Sequence, residues 1–196
     1  GVAVGAWSTG GALNTARYNL GGVGTQTAAL AFGGNTPPAT AVTESYNGTA
    51  WTEVNDLTAV KSQMGSAGTQ TAALAFGGQG DPGVLAETET WNGTNWTEVN
   101  DLNQLRRGIA GCGTNTAALG FGGYQPTTAL TELWNGTNWT EVGDLNLARG
   151  NIAGMGTTTS ALGAGGAGAP GLVALTESYN GTNWTEVGDL NNAVRA

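Results

Sequence analysis

Pairs of glutamates recur along this chain at a spacing of nine residues: Glu44 and Glu53, Glu89 and Glu98, Glu132 and Glu141, Glu177 and Glu186. Paired carboxylates can cleave a glycosidic bond, one as acid and the other as base or nucleophile. They can also hold a hard cation such as calcium. Other chemistries lack their groups. The 196 residues include no histidine, which removes Ser-His-Asp and Cys-His arrangements and the commonest metal ligand. The single cysteine, Cys112, occupies a position held elsewhere by Val23, Ala67 and Met155, which marks it as apolar filler rather than a reactive thiol. A catalytic pair should also be singular. Acids copied into every segment point to architecture, so the expectation is no catalytic residue, no metal site and no cofactor.

Whether the glutamates oppose each other depends on the turn between them. A four-residue loop after Tyr46 sets Tyr46 against Trp51 and Glu44 against Glu53, a repulsive arrangement unless a cation bridges it. A two-residue Asn47-Gly48 turn sets Glu44 against Trp51 instead, and the conflict disappears. The sequence leaves both registers open. Asn47-Gly48-Thr49 and Asn95-Trp96-Thr97 also match the glycosylation sequon, although a turn explains the Asn-Gly pairs without it.

The acids belong to a longer repeat. A double glycine falls at Gly33-Gly34, Gly77-Gly78, Gly122-Gly123 and Gly165-Gly166, and a tryptophan at Trp7, Trp51, Trp96, Trp139 and Trp184. Both markers keep a period of 43 to 45 residues, the signature of stacked units. Each unit opens on a cation (Arg17, Lys61, Arg106 or Arg149), and Arg195 reads as the fifth of the series, leaving Arg107 outside it. A glycine-rich segment follows, then an apolar run such as Ala29-Leu30-Ala31-Phe32, a variable loop, and two short segments ending near the tryptophan. The run alternates large and small side chains, as a strand with two different faces would. Four strands per unit are predicted, the glycine-rich first strand suiting a crowded place. No helix is expected. Asp56, Asp101 and Asp144 precede a cation by five residues, which suggests exposed ion pairs and turn caps between units.

The double glycine closing the second strand, an aromatic in the third (Tyr46, Trp91, Trp134, Tyr179) and a tryptophan in the fourth resemble the kelch repeat. The resemblance implies an all-β, kelch-like β-propeller of four four-stranded blades, plus an extra N-terminal strand carrying Trp7. The units are 17–60, 61–105, 106–148 and 149–196, with 1–16 as the leading outer strand. A closed ring is preferred over an open arc. The copper-oxidase activity of some kelch-like enzymes needs histidines and does not carry over.

Charge narrows the partners. Six Lys+Arg against fourteen Asp+Glu give a net charge of -8, which argues against nucleic acid. No apolar run is long enough for a membrane span, and no charged-then-apolar leader opens the chain, so a signal peptide is expected to be cleaved or absent. Function should sit where units differ, in the loops after the double glycine. Their candidate binding residues are Pro37, Pro38, Asp81, Tyr124, Gln125 and Pro170. Near-identical Asn-, Thr- and Gly-rich units are similar to those of phage and marine microbial proteins. The resulting expectation is a non-enzymatic structural or interaction module of a virion or tail, virion-bound or extracellular, with protein partners or self-assembly. A secreted carbohydrate-binding lectin is the alternative, and an acid-dependent glycan-cleaving enzyme the third reading.

Overall fold

The computed structural model describes residues 9–169 and 171–196. The described chain is all-β, and the repeat organises it. Unit 1 forms β1 (Gly21–Thr25), β2 (Ala28–Phe32), β3 (Thr43–Tyr46) and β4 (Trp51–Val54). Unit 2 forms β5 (Gly65–Thr69), β6 (Ala72–Gly80), β7 (Gly83–Trp91) and β8 (Trp96–Val99). Unit 3 forms β9 (Ala110–Gly113), β10 (Ala118–Phe121), β11 (Thr131–Trp134) and β12 (Trp139–Glu141). Unit 4 begins with a two-residue β13 (Arg149–Gly150), then β14 (Ala153–Thr157), β15 (Ser160–Ala164), a two-residue β16 (Ala167–Gly168) paired with β13, β17 (Thr176–Tyr179) and β18 (Trp184–Glu186). Each unit builds one antiparallel four-stranded sheet whose strands neighbour one another in chain order, unit 4 adding the small β13–β16 pair, and no sheet closes on itself.

The sheets meet through their first strands. β1 lies against β5, β5 against β9 and β9 against β14. Only small residues permit this. A Cβ on Gly111 would come within 2.5 Å of the Ser66 carbonyl oxygen, and one on Gly154 within 2.9 Å of the Gly111 carbonyl. The glycine load of the first strand is thus a packing requirement.

Alternation in the second strand builds the cores. Leu30 and Phe32 leave sheet 1 and pack on Ala73, Ala75, Trp91 and Trp96 of sheet 2. Leu74 and Phe76 do the same on Ala118, Trp134 and Trp139, and Leu119 and Phe121 on Ala161, Tyr179 and Trp184. The small face is therefore the socket for the previous unit's large face. Each phenylalanine meets the next unit's tryptophan at 4.8 Å between ring centroids. The same tryptophans donate their indole N–H backwards, from Trp96 to Thr43 Oγ1 at 3.1 Å, Trp139 to Thr88 at 3.0 Å and Trp184 to Thr131 at 3.0 Å. No sheet owns a complete core.

The leading strand is the main departure from expectation. Trp7 and the rest of residues 1–8 lie outside the described residues. From Thr9 to Ala16 the chain is an irregular strap rather than a strand. Its backbone is held by side chains of sheet 1. The Trp51 indole donates to the Gly11 carbonyl at 3.1 Å, and Asn14 donates through its backbone N–H to Glu44 Oε2 at 2.7 Å.

Removing one of the interlocking leucines should be costly, because the socket walls are two sheets that cannot collapse independently. Leu74→Ala is expected to lower unfolding free energy by about 2–5 kcal/mol. Urea denaturation followed by tryptophan fluorescence reads this directly.

Candidate functional site

The hairpin register comes first, since the glutamate chemistry hangs on it. Tyr46 pairs with Trp51 and Glu44 with Glu53, and the other three units repeat this register. The loop therefore has four residues. Asn47 Oδ1 accepts from the Thr49 and Ala50 backbone N–H groups, both at 3.0 Å, and only Gly48 of the Asn-Gly pair takes a positive φ, 91°. The two-residue turn is absent because the asparagine side chain builds its own turn.

The like charges do oppose one another, and a cation meets the inner glutamate of each pair, but it is the protein's own. Glu44, Glu89, Glu132 and Glu177 are buried, whereas Glu53, Glu98, Glu141 and Glu186 face solvent on the edge strand. Each buried carboxylate meets the cation that opens its unit. Arg17 pairs with Glu44, Lys61 with Glu89 at 2.7 Å, Arg106 with Glu132 at 3.0 Å, and Arg149 with Glu177. The expectation of exposed pairs is corrected here, since all four cations have fully covered side chains. The aspartates are not partners in these pairs. Asp56, Asp101, Asp144 and Asp189 each accept the backbone N–H of a third-strand threonine (Thr43, Thr88, Thr131 and Thr176), at 2.9 to 3.2 Å.

These pairs are set by the double glycine. Gly33 and Gly34 have φ values of 63° and 102°, and the later pairs match them. The bend lets the Gly34 N–H reach the Lys61 carbonyl at 2.9 Å, and Gly78 and Gly123 bond Arg106 and Arg149 likewise. In the last unit Gly166 bonds the Val194 carbonyl at 2.7 Å. Val194, not Arg195, therefore holds the fifth cation position, which corrects the sequence alignment by one residue.

Burial works on the titrations. It pushes the Glu44 carboxyl up, but the Arg17 guanidinium and the Asn14 and Thr15 backbone N–H groups outweigh it, and the group lies below the ordinary 4.5. Burial draws Arg106 down, opposed chiefly by Glu132. The Cys112 thiol is pushed up to about 11 by burial, in keeping with its place in a core. Among the described residues no group of three acids or cysteines gathers as a metal site.

The variable loops stand at one end of the sheets. The residue after each unit's opening cation pairs with the first residue after its double glycine: Tyr18 with Asn35, Ser62 with Gln79, Arg107 with Tyr124, Gly150 with Ala167. One residue further on, Asn19, Gln63, Gly108 and Asn151 all have φ between 51° and 60°. Backbone bonds of 2.8 to 2.9 Å run from Gln63 to Asn19, Gly108 to Gln63, Asn151 to Gly108 and Ala196 to Asn151. This ladder rims a pocket of about 260 Å³, floored by the glycine-rich first strands. Three of these four left-handed positions are asparagine or glycine, and that recurrence was the available signal.

Of the loop candidates, Pro37, Pro38, Asp81 and Gln125 are exposed tips on three different loops, and none lines the pocket. Pro170 lies outside the described residues. Tyr124 is half-buried and turned inward. Its hydroxyl lies within hydrogen-bond reach of the Ala167 carbonyl at 2.9 Å and the Gly150 carbonyl at 3.2 Å, and its ring lies where a Cβ on Gly108 or Gly150 would be. Burial raises its hydroxyl titration, which Arg195 and Arg107 partly offset. Arg107 donates to Gln63 Oε1 at 2.9 Å, and its buried Nε has no partner. Among the described residues neither Arg107 nor Arg195 makes a salt bridge. Five tryptophans are buried in the cores at 2–5% exposure, so they offer no stacking face for a sugar.

No protein-family model matches the chain, and no curated protein matches its sequence.

A pH prediction follows from Glu44. Its folded titration lies below its ordinary value, so its pair contributes fully above about pH 4.5 and is lost as pH falls through the depressed value. Glu44→Gln should cost about 3–5 kcal/mol at neutral pH by leaving Arg17 buried and unpaired. It should also flatten the acid limb of stability. Urea midpoints measured across a pH series test both.

Proposed function

We propose that this chain is a non-enzymatic structural and interaction module, a kelch-like propeller assembly whose pocket and loop rim meet an acidic group on a protein partner. What supports the propeller reading is the order of the sheets and the meeting of their glycine-rich first strands. The structural reading rests on where the acids went. Eight of the repeated carboxylates are committed to ion pairs or caps within the fold. The four outer glutamates are identical solvent-facing copies.

One observation carries the partner chemistry. In a chain of net charge -8, the two arginines free of salt bridges among the described residues both stand at this rim: Arg107 donates to Gln63 Oε1 at 2.9 Å, and Arg195 adjoins Ala196, which lines the pocket with Asn19, Gln63 and Asn151. Every other cation is spent inside the fold. A local positive spot on an acidic surface favours a carboxylate over a neutral group, and a half-buried guanidinium suits one. No helix of the described residues is long and apolar enough to cross a membrane. The narrower placement in a phage virion or tail, or in another extracellular particle, rests on the Asn-, Thr- and Gly-rich repeat composition alone.

Titration with an acidic peptide series and a matched amidated series tests this reading. The acidic series should bind with salt-sensitive affinity, and Arg107→Gln should weaken it about tenfold, as loss of a charge-assisted bond does. Glu98→Gln should leave it unchanged. Equal binding of both series sinks the acidic-partner reading, and binding only to neutral sugars transfers it to the lectin alternative.

A further inference from the structure

The three internal interfaces are built the same way, and the outer faces of the first and last described sheets are the two halves of a fourth. Sheet 4 presents the large face. Leu162 takes the position of Leu30, Leu74 and Leu119, which are 1%, 0% and 0% exposed, yet Leu162 is 38% exposed. Met155 and Val187 beside it are 47% and 40% exposed, where Cys112 of the preceding unit is buried at 6%. Thr176 Oγ1 is buried without a partner, whereas its counterparts Thr43, Thr88 and Thr131 each accept an indole N–H from the following unit. A hydroxyl placed to receive a tryptophan therefore waits on the far side of sheet 4.

Sheet 1 presents the socket. A groove of about 380 Å³ takes in Ala29, Ala31, Leu13, Leu20 and Trp51. Ala29, Ala31 and Trp51 correspond to Ala73, Ala75 and Trp96, which enclose Leu30 in the first core. The Trp51 indole N–H lies on the Gly11 carbonyl of the strap, the one tryptophan of its series without a threonine partner among the described residues.

We infer that a second copy of this chain docks head to tail, its sheet 1 receiving Leu162 and Met155 of the first copy in the Ala29–Ala31–Trp51 groove, with Trp51 donating to Thr176 Oγ1. The occupant is committed by continuity with the interfaces already made three times in the molecule. The charges agree. Glu44 needs a buried cation, and the first copy offers Val194 at that position. The second copy brings its own, because Arg17 of the strap already holds Glu44. Leu13, Asn14 and Arg17 therefore do for sheet 1 what Leu57, Thr58 and Lys61 do for sheet 2. The first copy's segment from Val187 to Ala196 is exposed throughout but bonded back to its own unit at Leu190, Val194 and Ala196, so docking has to shift it where it meets that strap. Gly11 releases the indole. Ala164, standing where other units have phenylalanine, makes this contact smaller than the internal ones, so association is reversible. The contact joins two different surfaces, so it propagates into a ring or a filament rather than stopping at a symmetric pair. It is independent of the rim, since a chain could assemble this way and bind nothing there.

Sedimentation velocity on the 196-residue chain from low micromolar to near-millimolar concentration tests it. The wild type should shift from monomer to larger species. Leu162→Glu and Ala29→Glu should each lose that shift while keeping the wild-type melting temperature. An equimolar mixture of the two should recover a dimer and nothing larger, since one good face remains on each. If Ala29→Glu melts early, Ala29→Leu, which fills the groove with an apolar side chain, replaces it. A wild type that stays monomeric throughout overturns the inference, as does association that survives either substitution or a mixture that stays monomeric.

Discussion

A buried cation laid on a buried carboxylate at the start of each unit is the constraint on which the rest depends. Lys61 and Glu89 show why. A carboxylate out of water is costly unless paired and hydrogen-bonded, and the cation lies in the segment that links one sheet to the next. The pair can form only when that linking segment is pressed against the third strand of the sheet it leads into. Thr58 adds a 2.7 Å backbone bond to the same carboxylate. An ion pair of this kind contributes little net stability against an apolar substitute, whereas removing one partner leaves the other buried and unpaired at a large cost.

The other repeated residues serve that placement. The double glycine turns the second strand so that its amide captures the carbonyl of the next cation. The aspartate bonds the backbone of the third-strand threonine, and that threonine keeps its hydroxyl free for the next indole. The large and small faces of the second strand then interlock. Every one of these contacts except the cap crosses from one unit to the next. Stability is accordingly shared between neighbours, as in other repeat arrays where nearest-neighbour interfaces dominate.

Much of this was legible in the residues. Period, strand number, the two-faced second strand and the small first strand follow from alternation and glycine content, and the structure has them all. Cys112 was placed correctly by its company at the same position in other units. The hairpin register was not legible, because Asn-Gly serves both a two-residue turn and a four-residue loop, and only the Asn47 side chain's bonds to Thr49 and Ala50 decide between them. The ion pairs were misjudged for a related reason. Sequence proximity favoured Asp56 as the partner of Lys61, whereas the real partner, Glu89, lies 28 residues further on and becomes a neighbour only when two sheets stack. Tyr124 was singled out as a rim residue because it is aromatic in a variable loop, but Gly108 and Gly150 leave room for its ring to turn inward. The mouth residues Asn19, Gln63 and Asn151 were missed because their left-handed backbone is a property of the ladder they form.

The last unit separates what a sheet needs for itself from what it supplies to a neighbour. Asp189 still caps Thr176, and Tyr179 still stacks on Trp184, contacts that stay within the unit. Glu177 still receives Arg149 from the segment that opens its own unit. Two features that face onward have changed: phenylalanine has become Ala164, and the cation has become Val194. Both losses fall on contacts to a following carboxylate and a following tryptophan. A unit relieved of both can no longer hold a neighbour that depends on it for a counter-ion, yet Leu162, Met155 and the Thr176 hydroxyl remain to meet one that does not. Sheet 1, with Arg17 already on Glu44, is a surface of that kind. The asymmetry between the two ends is therefore one of charge supply, with the apolar complementarity left intact.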